Sequence, residues 1–204
     1  MKNWNALPDM KTMEKTITAL KKNGFEAMAV GSGAEAKQKF LEMVHKGAEV
    51  MDNTSITLET LGLASEIQES GKYDSVKKKL SSMDRKTQGR EMQRLGAAPE
   101  WAVGSVHAVT QDGHVMVASN SGSQLPGYAY GAEHVVWIVG AQKIVKNIDE
   151  GMKRIHEHSL VLESERAKKA YGVPGSYVSK ILILNKEPKP GRTHIILVNE
   201  ALGY

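Results

Sequence analysis

Apolar positions divide the chain into helix-like segments and short strand-like runs. Between residues 9 and 22, apolar side chains such as Ile17 and Leu20 recur every three or four positions, which predicts an amphipathic helix ending at Asn23-Gly24. Residues 134–139 are almost continuously apolar, which is typical of a strand buried on both faces. The same criteria predict helices over residues 34–45, 58–62, 147–158 and 160–171, a polar helical region over 63–100, and strands over 25–30, 48–51, 106–110, 114–118, 134–139, 179–184 and 193–198.

The alternation of strands and helices predicts an α/β fold. Strands that alternate with helices favour a mostly parallel sheet with helices on both faces, which is a three-layer α/β/α arrangement. Asp112-Gly113 stands between two β-rich runs and predicts a β-hairpin near residues 106–119. No repeat or linker divides the sequence, so we expect residues 1–204 to form a single domain.

A turn rich in hydroxyl groups follows the second strand of this hairpin. Residues 118–127 lead into a short predicted helix that Ser121 or Ser123 can cap and that extends to about Tyr130. A strand that opens into such a turn leaves backbone N–H groups and hydroxyls for an anion or a polar small molecule. The turn lacks the Gly-x-Ser-x-Gly pattern, so serine as a cap or ligand donor is favoured over a serine nucleophile. The candidate ligand-binding residues here are Ser121, Gly122, Ser123 and Gln124.

A second turn of the same kind follows the strand over residues 48–51. Because ligands of α/β proteins bind at the carboxyl ends of the strands, the two turns are expected to share a cleft. Lys143 follows strand 134–139 at the same edge. It would either neutralise a carboxylate or phosphate, or be a solvated lysine at the start of a helix. The second turn adds the candidates Asn53, Thr54, Ser55 and Thr57.

Composition narrows the chemistry and the location. Hydrophobic residues make up 41% and charged residues 25% of the 204, as in ordinary globular proteins. Cysteine is absent, which excludes disulfides, thiolate zinc sites, iron–sulfur ligation and cysteine nucleophiles within these residues. No apolar signal segment and no run near the ~20 apolar residues of a membrane span occurs, so we expect a cytoplasmic protein without membrane contact.

The net charge of +4 has its densest part between Lys77 and Arg94. This segment would be either a nucleic-acid face or the solvated side of surface helices. Aromatic residues are not interleaved with the charges and no RNA-binding motif occurs. The solvated surface is therefore favoured, and no nucleic-acid partner is expected.

The histidines suggest a metal site only weakly. His156 and His158 diverge by about 200° on a helix and cannot share a metal. His107 and His114 could face each other across the hairpin, but no cluster of carboxylates accompanies them. Dinucleotide and P-loop fingerprints are absent too, so the sequence predicts no metal and no cofactor.

Three glutamates are the candidates for acid–base catalysis. They are Glu59 and Glu163, each on a predicted helix, and Glu200, which follows the last predicted strand. Glu163 lies three positions before Arg166 and would alternatively form an ordinary ion pair on a helix surface.

Seven segments stand out for their order and spacing. Together they resemble the LUD (lactate-utilisation) domain family, and the resemblance extends over nearly the whole chain. The segments are 53–58 (NTSITL), 106–113 (VHAVTQDG), 118–125 (ASNSGSQL), 136–145 (VWIVGAQKIV), 162–166 (LESER), 171–176 (YGVPGS) and 198–203 (VNEALG).

The resemblance implies membership of the wider group that includes ribose-5-phosphate isomerase, glucosamine-6-phosphate deaminase and CoA transferases. It implies a Rossmann-like fold in which residues 53–57 are the phosphate-binding turn, residues 121–124 a second wall of the cleft and Lys143 a third. Some members of the family belong to systems that oxidise lactate to pyruvate with iron–sulfur partners. The glutamate nucleophile of CoA transferases has no match in residues 119–124, which argues against CoA transfer.

Three hypotheses follow from the sequence. The first is a stand-alone LUD protein that binds a small anionic metabolite and assists the oxidation of lactate or a related hydroxy acid. The second is an isomerase- or hydrolase-like enzyme that acts on a phosphorylated sugar. The third is a non-catalytic subunit that docks an iron–sulfur protein. The apolar residues 202–204 would cover either the protein's own sheet or a second copy in a homo-oligomer.

Overall fold

The computed structural model describes residues 2–204 and contains helices and strands close to the predicted positions. The helices are α1 (Met10–Lys22), α2 (Gly33–Met43), α3 (Ile56–Thr60), α4 (Leu63–Glu69), α5 (Val76–Ser81), α6 (Arg85–Ala97), α7 (Ile148–Arg154) and α8 (Leu160–Tyr171). The strands are β1 (Glu26–Val30), β2 (Glu49–Asp52), β3 (Asp74–Ser75), β4 (Trp101–Gly104), β5 (Ala108–Thr110), β6 (Val115–Ser119), β7 (His134–Gly140), β8 (Ile144–Val145), β9 (Lys180–Leu184) and β10 (Thr193–Val198).

A six-stranded parallel sheet forms the centre of the fold, in the order β1-β10-β7-β4-β2-β3. Strand β7 is buried on both faces, as the sequence predicts. Its residues Val135 and Trp137 pack into one apolar cluster, whereas Val136 and Ile138 pack into another on the opposite face. Helices cover both faces, so the expected α/β fold with a mostly parallel sheet is confirmed.

The predicted hairpin is present, but it belongs to a second sheet. Strands β5 and β6 are antiparallel, and Gly113 in the turn between them has φ +87°. This sheet has the order β8-β5-β6-β9, in which β9 is antiparallel to β6. It carries the end of β6, and therefore the 119–124 turn, to a position beside the central sheet.

Strand β4 was not predicted, although it lies between β7 and β2 in the centre of the sheet. It has only four residues and ends in Gly104, so its apolar run is too short to stand out from the hairpin that follows. The position of β4 in the sheet brings Ser105 and His107, which follow it in the sequence, to the cleft described below.

The two helices predicted over residues 147–158 and 160–171 are joined. A π-helical segment, Ile155–Ser159, connects α7 to α8 without a break. π-Helical turns inside α-helices are frequent at functional sites. Here the segment places Ser159 and Leu160 at the cleft described below.

The short helix predicted through Tyr130 is a π-helical turn, Gly127–Gly131, and no serine caps it. Instead, the Ser121 hydroxyl accepts a hydrogen bond from Ser123 N over 3.3 Å. The 121–124 turn is thus stabilised by its own serines. None of the helices between residues 2 and 204 is long and apolar enough to cross a bilayer.

Candidate functional site

A cleft of about 300 Å³ lies at the carboxyl ends of β2 and β4, facing the end of β6 and helix α8. Both hydroxyl-rich turns line it. The predicted site residues on its walls are Asn53, Thr54, Ser55, Thr57, Ser121, Ser123, Gln124 and Lys143.

Gly122 is the exception among the predicted ligand-binding residues, since it does not line the cleft. Its N–H donates a hydrogen bond to Ser119 Oγ over 2.8 Å. The Ser119 hydroxyl in turn donates to Gln124 Oε1 over 2.9 Å, which fixes the amide of Gln124 against the turn.

Lys143 lies at the floor of the cleft and is only 2% exposed. A short 3₁₀ turn after β7, Ala141–Lys143, directs the side chain inward. Its Nζ donates to Thr57 Oγ1 over 3.2 Å and to Ser105 Oγ over 3.0 Å. The alternative of a solvated lysine is therefore wrong.

No carboxylate among residues 2–204 forms an ion pair with Lys143. Burial, together with the positive charge of Arg154, holds the pKa of the Lys143 ammonium well below its usual value. The lowered pKa makes the neutral amine easier to form here than at a solvated lysine.

The segment 202–204 closes the cleft on the side of Thr57. The Thr57 hydroxyl donates to Leu202 O over 3.2 Å, and Gln142 Nε2 donates to the same carbonyl over 3.0 Å. Gly203 has φ +62°, and a Cβ there would stand 2.4 Å from Thr57 Oγ1. Close approach of this backbone to Thr57 thus requires glycine.

His107 also lines the cleft, in a defined tautomer. Its Nδ1 accepts a hydrogen bond from Ala118 N over 3.1 Å, so the ring proton lies on Nε2. Burial, with the basic side chains of Lys143 and Arg154 nearby, lowers the pKa of His107 to about 3. The ring therefore stays neutral. The pairing of His107 with His114 is wrong, because His114 contacts Asn185 Oδ1 instead, at 2.7 Å.

Arg154 lies fully buried behind His107. Its Nη1 donates to His107 O over 2.7 Å and to Ser159 Oγ over 3.1 Å, whereas Nε and Nη2 have no partner in the described chain. Burial lowers the pKa of the guanidinium to about 10, so it remains charged at neutral pH. Its charge adds positive potential beneath the cleft.

Glu163 is the one of the three candidate glutamates that lines the cleft. Arg166 Nε and Nη2 hold its carboxylate over 2.8 and 2.7 Å, and the Tyr204 hydroxyl donates to it over 2.6 Å. Burial alone would raise the pKa of Glu163, but the hydrogen bonds from Arg166 and Tyr204 lower it below its usual value. A carboxylate held in this way is a poor general base.

The other two glutamates lie outside the cleft. Glu59 is exposed on α3, and Glu200 Oε2 accepts a hydrogen bond from Gly33 N over 3.1 Å at the start of α2. A fourth acid, Asp52, lines the cleft and was not among the candidates.

Asp52 is fully buried, and its Oδ2 accepts from Gln68 Nε2 over 2.7 Å and from Lys77 Nζ over 3.2 Å. Its Oδ1 has no partner among the described residues. Burial raises the pKa of this carboxyl in spite of Lys77.

Basic side chains outnumber acidic ones on the cleft walls. Asp52 pairs with Lys77 and Glu163 pairs with Arg166, which leaves Lys143 as the basic side chain without an acid partner. Arg154 lies behind this wall without an acid as well. A cleft with an unpaired basic side chain on its wall and the charged Arg154 behind it is suited to an anion. No group of three histidine, aspartate or glutamate side chains within residues 2–204 is placed to hold a metal.

Fold and cleft together define an α/β protein with a polar cleft, lined by basic side chains, at the carboxyl ends of its strands. The sequence model of the LUD domain family matches residues 13–198, and the chain belongs to this family. The resemblance noted from the motifs is thus confirmed. At the level of the family, the function is related to lactate utilisation.

Comparison with solved structures finds the same fold. The crystal structure of a DUF162 family protein from Deinococcus radiodurans has a TM-score of 0.58 and 10% sequence identity to this chain, and the match covers 95% of this chain and 100% of that one. At this identity the likeness concerns the fold alone. No curated protein matches the sequence.

Proposed function

We propose that the cleft binds a small carboxylate or phosphate anion and that, in line with the family, the ligand is lactate or a related hydroxy or oxo acid. The observation that supports this proposal is Lys143, a buried amino group with hydroxyl partners and no acid partner. The ammonium form of this group is costly to bury unpaired, and a bound anion would offset that cost. The cleft volume of about 300 Å³ suits a small metabolite.

The two turns would supply the neutral contacts to this ligand. Ser121, Ser123 and Gln124 lie on one wall, and Ser55 and Thr57 lie on the other. The Ser55 oxygen already accepts a hydrogen bond from Leu58 N, so its hydroxyl proton remains for an acceptor on the ligand. Neutral donors and one cation together orient a small anion without a dedicated acid pair.

Oxidation of a bound hydroxy acid would need an electron acceptor from outside these residues. The 204 residues contain no cysteine, so they supply no thiolate ligands for an iron–sulfur cluster. We therefore propose that a cytoplasmic iron–sulfur protein accepts the two electrons released when the hydroxy acid becomes an oxo acid.

Calorimetric titration tests the anion site. Lactate, pyruvate and a sugar phosphate are titrated into the wild-type protein, Lys143→Ala and the control Lys153→Ala, whose side chain is exposed on α7. We expect the first variant to lose at least about tenfold in affinity, as for loss of a charge-assisted hydrogen bond, and the control to match wild type. Equal affinities of wild type and Lys143→Ala would exclude this role of the lysine.

A further inference from the structure

We propose that Lys143 is a nucleophile that forms a Schiff base with the carbonyl group of a small 2-oxo acid. The inference rests on the proposed anion site. Among the possible ligands of that site, it assigns a covalent mode of binding to the oxo acid. It adds a reaction to a residue that the family resemblance implies only as a wall of the cleft.

The hydrogen bonds around Lys143 leave one position of its nitrogen open. The single hydroxyl proton of Thr57 is donated to Leu202 O, so Thr57 Oγ1 must accept from Lys143. Ser105 Oγ takes the second N–H. A neutral amine with both N–H groups used in this way keeps its lone pair for an electrophile, whereas an ammonium would carry a third N–H without a protein partner.

The surroundings of Lys143 match those of nucleophilic lysines. Such amines are activated by desolvation or by a neighbouring cation, and both conditions are present here. The side chain is 2% exposed, and the buried guanidinium of Arg154 has no acid that would neutralise it. A lysine paired with a carboxylate would instead be held as an unreactive ammonium.

The rest of the cleft fits an oxo acid. Neutral His107 presents Nε2–H, a donor that can polarise a carbonyl oxygen, because Nδ1 is occupied by Ala118 N. The carboxylate of the ligand would lie against the hydroxyls of the 121–124 turn, within the positive potential of Arg154. An aldehyde or ketone without an anionic group would lack this second anchor.

The step is balanced without an oxidant or a reductant. The Lys143 lone pair forms a C–N bond while the carbonyl π bond breaks, and one N–H proton moves to the oxygen to give a carbinolamine. The hydroxyl then leaves as water and takes the remaining N–H proton, so a C=N bond replaces the C–N bond. Amine and ketone thus give imine and water.

Borohydride trapping tests the proposal. The wild-type protein is incubated with pyruvate and sodium borohydride, which reduces an imine to a stable secondary amine, and peptide mapping by mass spectrometry locates the adduct. Lactate, which has no carbonyl, is the matched control ligand. The variants are Lys143→Arg, which keeps a cation but forms no imine, and Lys153→Arg, which alters an exposed lysine on α7.

We expect one adduct, at Lys143, with pyruvate and none with lactate. Labelling should fall at least about tenfold in Lys143→Arg and stay unchanged in Lys153→Arg, because only the desolvated amine is activated. The wild-type map does not depend on the folding of any variant. Calorimetric binding of pyruvate without an adduct would overturn the Schiff base and leave the anion site standing. Absence of both binding and adduct would overturn both proposals, and labelling spread evenly over surface lysines would overturn the assignment to Lys143.

Discussion

The hydroxyl of Tyr204 donates a hydrogen bond to Glu163 Oε2 over 2.6 Å and so joins segment 202–204 to helix α8. The same carboxylate accepts two hydrogen bonds from Arg166. Since Leu202 and Gly203 lie between this anchor and strand β10, the Tyr204–Glu163 bond helps to hold their backbone against Thr57 and Lys143.

Replacement of Tyr204 by phenylalanine removes this bond and leaves the Glu163–Arg166 pair in place. We expect the free energy of unfolding to fall by about 1 kcal/mol, the usual contribution of one hydrogen bond, with some loss of anion affinity because Gly203 is held less firmly. Urea denaturation measures the change. Tyr130→Phe is the control, since Tyr130 is 88% exposed, and a decrease of the same size in that variant would contradict the assignment.

Replacement of Gly203 by alanine should destabilise the floor of the cleft by more than the cost of placing alanine at a left-handed backbone angle. Gly203 and Gly172 have similar angles, φ +62° and +67°, but a Cβ on Gly172 meets nothing within 4 Å, whereas one on Gly203 would clash with Thr57. We expect Gly172→Ala to cost roughly 1–2 kcal/mol of stability, from the left-handed backbone. Gly203→Ala should cost more and should also weaken anion binding. Equal costs in denaturation, with unchanged affinity in calorimetry, would contradict this account.

The sequence predicts those parts of the fold that local patterns encode. Strand β10 is found at its predicted bounds, Thr193–Val198, and Asp112-Gly113 correctly predicts a hairpin, because each signal lies within a few residues. Strand β4 was missed since four residues carry too little pattern. The placement of the hairpin in a second sheet depends on its pairing with β9, which begins more than 60 residues later, and no local signal reports it.

The candidate site was partly predictable for the same reason. Hydroxyl-rich turns after strands are local features, and both turns line one cleft. The burial and hydrogen bonding of Lys143 could not be predicted from the local sequence, because its partners Thr57 and Ser105 lie 86 and 38 residues away in sequence. The tautomer of His107 likewise depends on the backbone of β6, which only the folded hairpin brings within reach.

Binding of lactate should be accompanied by proton uptake. Burial and Arg154 lower the pKa of Lys143, and a bound carboxylate would raise it because opposite charges favour the ammonium. Between the two pKa values the amine takes up a proton as the ligand binds. Calorimetry at one pH in buffers of different ionisation enthalpy should therefore show uptake of up to about one proton per ligand. Lys143→Ala should bind more weakly and without uptake. Proton-independent binding by wild type would mean that Lys143 is already charged.

The stability of the protein in alkaline solution provides a test that needs no ligand. The folded state holds the pKa of Lys143 below the value of about 10.4 found in unfolded chains, so between these two values the unfolded state binds more protons. The free energy of unfolding must then rise with pH in this window, by at most about 1.4 kcal/mol per pH unit for one group.

In Lys143→Met the titrating amine is absent, so the rise in the free energy of unfolding that it causes in wild type is absent too. The free energy of unfolding of the variant minus that of wild type should therefore be greatest near neutral pH and should decline as the pH approaches 10. Denaturation of both proteins in urea between pH 7.5 and pH 10 measures the difference. The other lysines and Arg154, whose pKa is about 10, are common to both proteins, so their contributions to the slope cancel in the difference. The lowered pKa of His107, about 3, affects the slope only below about pH 6.5, outside the measured range. Parallel curves for the two proteins would show that Lys143 keeps an ordinary pKa in the folded state, and the proposal of a neutral amine in the cleft would fail.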